Sequence, residues 1–234
     1  MSKTVISQIA SQYLNALITY QTSNDPTLAD ANSPQHYLST AIVLLNYLTT
    51  NPDVCKRIIA HPVLLHNLVS QLLEPDFVQR MQTIPRTTHP NSSFPAGTFA
   101  DDFGTLLQFL STCLVWVDNI PSVHPRILEL VPKLKAWKRE FRNSSVRTIG
   151  NASERLVSQI EDHISMRPMI MGMRGMMEAN LSCGVASCSV SGPGLTVCNA
   201  CKVQRYCGRD HQKADWKFHK LICNKGLVEP EEGN

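Results

Sequence analysis

The sequence predicts a mainly α protein: a helical N-terminal domain followed by a small C-terminal module folded around metal. Three observations carry this reading. Apolar residues before residue 180 recur at three- and four-residue spacing, with almost no period-two alternation. Prolines at Ser33-Pro34, Asn51-Pro52 and His61-Pro62 punctuate that pattern where helices would begin. Six of the eight cysteines crowd between Cys183 and Cys223.

Composition narrows the classes. The chain has 234 residues, 43% hydrophobic and 18% charged, enough for a core and for about one to two domains. A net charge of +3 is too small to imply a nucleic-acid or membrane partner. No run approaches ~18 consecutive apolar residues, so no membrane span is expected. The N-terminal stretch is broken by Ser7, Gln8, Ser11, Gln12 and Asn15, so no cleaved signal peptide is expected either. The expectation is an intracellular protein, cytoplasmic or nuclear, in a reducing compartment where clustered cysteines read as metal ligands.

Charge divides unevenly. Residues 1–182 carry a net +1, whereas residues 183–225 carry seven basic and two acidic side chains. The expected division is a helical domain over 1–165, a Met-rich helical linker over 166–182, the metal module over 183–223, and a disordered acidic tail over 224–234 with Glu229, Glu231 and Glu232.

Taken in order, Val5, Ile6, Ile9, Tyr13, Leu14, Leu17 and Ile18 make an amphipathic helix over 3–20. Residues 24–34 form a loop, and Pro34 opens a helix with Tyr37, Leu38, Ala41, Ile42, Leu44, Leu45 and Leu48 as its apolar face. Asn51-Pro52-Asp53 caps a short helix ending near Ala60. His61-Pro62 opens another, with Leu64, Leu65, Leu68, Val69, Leu72 and Leu73 inward. Pro85, Pro90 and Pro95 mark a surface loop over 80–100. Phe103 to Val117 reads as a very apolar helix, and Ile127 to Phe141 as another with its lysines and arginines on the far side. Cys55 and Cys113 lie on apolar faces and read as small buried hydrophobes.

The run Ala41–Leu48, the corner Asn51-Pro52 and the stretch Ile58–Leu73 resemble an armadillo-like helical repeat, with a weaker second copy over Phe103–Leu134. The resemblance implies stacked helices with a groove for protein partners. An irregular helical bundle is the alternative.

Residues 166–177 hold six of the eight methionines: Met166, Met169, Met171, Met173, Met176 and Met177. Gap-filling packing, a plastic binding surface and a soft Cu(I) site compete, in that order.

From residue 183 the ligand spacing is Cys183-x4-Cys188-x9-Cys198-x2-Cys201-x5-Cys207-x3-His211-x7-His219-x3-Cys223. Eight thiolate or imidazole ligands match two tetrahedral zinc sites. Cys198-x2-Cys201 fits a knuckle turn in which two thiolates reach one ion. Cys207/His211 and His219/Cys223 are four apart, so on helices each pair shares a face. Spacing alone permits sequential or interleaved pairing.

The same residues, with Tyr206-Cys207, His211-Gln212, Asp215-Trp216 and His219-Lys220 in register, resemble the MYND-type zinc finger. The sixth ligand, more often Cys in that family, is His211 here. The resemblance implies interleaving: Cys183, Cys188, Cys207 and His211 around one zinc, Cys198, Cys201, His219 and Cys223 around the other. It also implies a protein-interaction role with short proline-containing peptides as ligands, for which Gln212 and Trp216 are candidate contacts. About 40 residues cannot fold unaided, so zinc should fold the module around a small core of Tyr206, Trp216 and Leu221.

With four protein ligands on each zinc, no position is left open for a catalytic water. No phosphate loop, carboxylate-pair motif or nucleophile elbow appears elsewhere, and no small-molecule substrate is implied. A fragment of a SET-type methyltransferase, some of which carry a MYND finger, is disfavoured because 11 residues follow Cys223 and the Asn-His dipeptide typical of that site is missing. A RING-type finger is disfavoured by the x4 and x3 end spacings. Nucleic-acid binding is the rival from another class, through a stripe of Lys213, Lys217 and Lys220. Counting two Zn²⁺ and six thiolates brings the module to a modest charge of about +3.

Overall fold

The computed structural model describes residues 3–23, 40–83, 98–143 and 147–224. Among them ten α-helices and a single two-stranded ribbon make a mainly α fold. No helix among the described residues is long and apolar enough to cross a membrane.

Helix α1 (Lys3–Thr22) buries Ala10, Leu14 and Ile18, one residue per turn. Its expected face is rotated: Val5 and Tyr13 are exposed, because the buried stripe also includes Ser11 and Gln21. Three helices follow with proline corners, α2 (Thr40–Leu48), α3 (Pro52–Ile59) and α4 (Pro62–Leu73). The first corner forms as its sequence dictates. Pro52 needs no backbone partner at the first helical position, and the Asn51 side chain accepts from the Asp53 N–H at 2.8 Å. The cap and first turn expected at Ser33-Pro34 lie outside the described residues.

Helix α5 (Phe77–Thr83) extends into the stretch expected to be loop, because Phe77, Val78 and Met81 bury one face. At the other end of that stretch, Thr98 and Asp101 form a capping box that starts α6 (Phe99–Leu114). The prolines between lie outside the described residues. After α6, two 3-10 turns (Ile120–Ser122 and Ile127–Glu129) precede α7 (Leu130–Glu140). The helix expected from Ile127 therefore begins three residues late. Pro132 has no N–H to give the carbonyl of Leu128, so it fits only the first turn of an α-helix.

Helix α8 (Thr148–Glu161) is named by none of the expected elements. Its buried Ile149, Ala152, Ser153, Leu156 and Ile160 follow helical spacing, and it packs along both α6 and α7. Gly104 permits the approach: a Cβ there would lie 2.8 Å from the Thr148 Cβ.

Helix α9 (His163–Ala179) carries the methionines. Met166, Met173 and Met177 pack on a small cluster of Cys55, Val115, Trp116 and Ile170, while Met169, Met171 and Met176 are exposed. Arg174 fixes α9 to the end of α6 through Val115 O at 2.6 Å and Asp118 at 2.9 Å. Cys55 and Cys113 are fully buried, and burial pushes the Cys55 thiol up to about 12.

Candidate metal centre

After α9 the chain turns at Leu181 and runs as a compact, irregular segment held by backbone hydrogen bonds. Cys183 N donates to Val190 O at 3.1 Å, and Gly184 N to Arg205 O at 2.8 Å. Strand β1 (Thr196–Val197) pairs antiparallel with β2 (Arg205–Tyr206), and Cys198 N donates to Gln204 O at 2.7 Å. Between them Cys198 and Cys201 sit on a knuckle whose exit residue, Lys202, takes the left-handed conformation at φ 58°. Helix α10 (Arg209–His219) follows.

These elements gather the eight ligands into two sets. The donor atoms of Cys183, Cys188, Cys207 and His211 lie within 4.8 Å of one another, as do those of Cys198, Cys201, His219 and Cys223. Each set mixes the two halves of the segment, so the arrangement is interleaved. In the first, Cys188 and Cys207 sulfurs are 3.8 Å apart, and His211 Nδ1 is 3.5 Å from Cys183 Sγ and 3.0 Å from Cys207 Sγ. In the second, Cys198 and Cys223 sulfurs are 3.9 Å apart, and His219 Nε2 is 3.7 Å from Cys201 Sγ.

Those separations fit a tetrahedral zinc. Bond lengths of about 2.3 Å to sulfur and 2.0–2.1 Å to nitrogen give edges of about 3.8 Å for S···S and 3.5 Å for S···N. All eight cysteines are free, so disulfides do not compete for the sulfurs. Three thiols and an imidazole make each set a donor group suited to zinc.

Local hydrogen bonds favour two of the thiolates, Cys201 and Cys188, whereas the bond with Cys201 raises Cys198 and burial raises Cys207 and Cys223. Cys201 is held well below the usual thiol range, first by the Cys198 thiol, then by His219, the Ser11 hydroxyl and the Gln204 N–H. The half-buried Cys188 is lowered chiefly by its backbone bond with Val190. The four-residue ligand pairs do not sit inside helices as expected. Cys207 precedes α10 and Cys223 follows it in a turn, with Cys223 N donating to His219 O at 2.8 Å. One short helix therefore carries a ligand pair at each end and spaces the two metals.

The expected module core needs correction. Tyr206 is fully buried, its hydroxyl donating to Asp215 at 2.7 Å. Trp216 is 44% exposed and Leu221 is 76% exposed. Leu195, Val203 and Gln204 fill the interior with Tyr206 instead. The ligands Cys183, Cys198, Cys201 and His219 are buried with them, in place of the indole. Gln212 is half-buried, on α10 with Trp216.

The segment is docked on the helical domain, which its sequence does not announce. Arg205 meets Asp53 of α3 in a bidentate pair, Nε to Oδ2 at 2.6 Å and Nη2 to Oδ1 at 2.7 Å, and Nη1 donates to Leu195 O at 2.7 Å. The Ser11 hydroxyl on α1 reaches Cys201 Sγ at 3.5 Å. Asn224, expected to begin a disordered tail, is ordered: its N–H donates to Ser11 O at 3.0 Å. Residues 225–234 lie outside the described residues. Cys183, Cys198, Cys201, Val203 and Tyr206 are continuous with the buried cluster of α1 to α8.

Comparison with known proteins agrees with this geometry. The chain is similar to the SET domain and MYND-type zinc finger protein 6 of Schizosaccharomyces pombe, 44% identical over 55 residues. Those residues are 24% of this chain and 11% of the relative, so the chain spans a small part of the curated protein it matches. No solved structure matches. The sequence model of the MYND finger family matches residues 183–223, first ligand to last, and that C-terminal segment is a MYND-type zinc finger.

Proposed function

We propose that this chain is a non-catalytic protein-interaction adaptor whose finger is folded by two structural zinc ions. The observation that carries the reading is the pair of four-donor clusters: Cys183, Cys188, Cys207 and His211 would hold one ion, and Cys198, Cys201, His219 and Cys223 the other. Four protein donors close a tetrahedral zinc, which then fixes chain geometry and offers no site to water or substrate. The SET domain in the relative's name is not carried over, since the match covers 11% of that protein.

The partner surface is assigned to α10. Trp216 is exposed beside half-buried Gln212, with Phe218 64% and Leu221 76% exposed on the same C-terminal portion. Exposed aromatic and apolar side chains on a rigid, metal-braced helix favour a peptide ligand, and proline-containing segments are cheap to order because they are already extended. Binding of a fluorescein-labelled proline-containing peptide, selected on the full zinc-loaded chain, tests the assignment. Trp216→Ala should weaken it about tenfold or more while retaining both zincs. Equal affinity would overturn the groove assignment. The nucleic-acid reading rests on the exposed Lys213, Lys217 and Lys220. It requires duplex DNA binding with a steep salt slope at about 50 mM salt, and Lys217 is already stacked over the Phe218 ring at 4.8 Å.

A further inference from the structure

A concavity of about 690 Å³ lies far in sequence from the finger, between the second half of α7 and the first turns of α8. That volume falls in the range of sites that hold ligands. Its lining carries five cations, Lys135, Lys138, Arg139, Arg142 and Arg147, against one acid, Glu154. Lys138 is paired with Glu154 at 2.9 Å, and Lys135 with Glu161 at 2.8 Å. Arg139, Arg142 and Arg147 have no carboxylate partner among the described residues, and the first turn of α8 offers no acid. The three guanidinium groups are exposed. They concentrate in one hollow a charge equal to the +3 of the entire chain.

Like charges held this close repel one another unless a counter-charge joins them, and the guanidinium fork matches a carboxylate bidentately. We propose that this hollow docks an acidic peptide segment of a partner protein, its carboxylates held by Arg139, Arg142 and Arg147. A peptide suits the site better than a nucleic acid. The aromatic lining residue, Phe141, is packed against Phe99 and Phe103 at 5.7 and 6.2 Å, so its ring offers no free platform for base stacking. The cations also fill a bounded hollow between two helices and do not form a track along a backbone. The hollow is open for entry: a Cβ added at Gly150 would meet nothing within 4 Å.

This surface supplies a partner chemistry for the helical domain of the adaptor, and its test is separable from that of the finger. Fluorescence anisotropy of a labelled hexaglutamate peptide is measured with the full zinc-loaded chain at about 50 and 150 mM salt. Saturable binding is expected, weaker at the higher salt. The double variant Arg142→Glu/Arg147→Glu should weaken it about tenfold or more. Gly150→Glu, which places a carboxylate in the open hollow, should do the same. Both leave the core untouched and should unfold at the wild-type temperature or above it, since Gly150→Glu removes a glycine from a helix. Trp216→Ala should bind hexaglutamate normally, so failure here and failure of the finger assignment read out differently. Absence of saturable binding, equal affinity of the variants, or equal or tighter binding of hexathymidylate would overturn the proposal.

Discussion

Breaking the Arg205–Asp53 pair should uncouple the finger from the helical body. The two side chains are 15% and 6% exposed and meet through two hydrogen bonds of 2.6 and 2.7 Å. At an effective dielectric near 20, unit charges about 4 Å apart attract by about 4 kcal/mol. Much of that offsets desolvation, so the intact pair contributes modestly, but removing one partner strands the other charge and costs about 3–5 kcal/mol. Asp53→Asn leaves a buried guanidinium without its counter-charge and with one of its two carboxylate acceptors replaced by an amide N–H, and Arg205→Met leaves a buried carboxylate. Each single variant should lower unfolding free energy in urea by that amount with zinc saturating. The double variant Asp53→Asn/Arg205→Met strands no charge and should lose less than the sum, with about 2 kcal/mol or more of coupling. Losses below about 0.5 kcal/mol with additive singles, the behaviour of exposed pairs, would refute the docking argument.

Three further outcomes follow from the same structure. A Cβ at Gly184 would collide with the buried Gln204 side chain and lie 3.0 Å from the Tyr206 ring; Gly184→Ala should therefore destabilise the finger by about 1–3 kcal/mol, and an unchanged zinc-release midpoint in chelator would contradict this. Burial, then His66 and Arg126, hold the His124 imidazole below its ordinary range, and its Nδ1 accepts the Arg126 N–H at 3.0 Å. Its neutral form is therefore favoured in the fold, so this contribution is complete above about pH 6.5 and falls as pH drops through the lowered value. His124→Asn should flatten the urea-midpoint profile between pH 7.5 and 5.5 relative to wild type, and parallel profiles would count against it. Iodoacetamide should label six thiols once zinc is chelated, while Cys55, with its thiol near 12, and the fully buried Cys113 stay protected until global unfolding; early labelling of either would show that the helical core opens with the finger.

The parts legible in the sequence were those set by local chemistry. Asn51-Pro52 and His61-Pro62 dictate their helix starts whatever surrounds them, and the ligand spacing marks the finger because zinc accepts few donor types. Other features depended on details within the pattern. Pro132 delays α7 although the apolar spacing runs through it, and α8 carries a helical stripe hidden among serines, asparagine and glycine. Trp216 and Leu221 are expected inside because large apolar residues usually form a core, but the module buries Cys183, Cys198, Cys201 and His219 with Leu195, Val203 and Tyr206 instead. The Arg205–Asp53 pair spans 152 residues and had no local signal. Asp53 reads in sequence as an ordinary first-turn acid, and only the docked finger gives it a partner.

Native mass spectrometry of the full chain tests the central claim most directly. Two zinc ions per chain are expected, one for each four-donor cluster. A chain that carries one zinc or none under zinc-replete conditions, while retaining its native charge-state distribution, would contradict it.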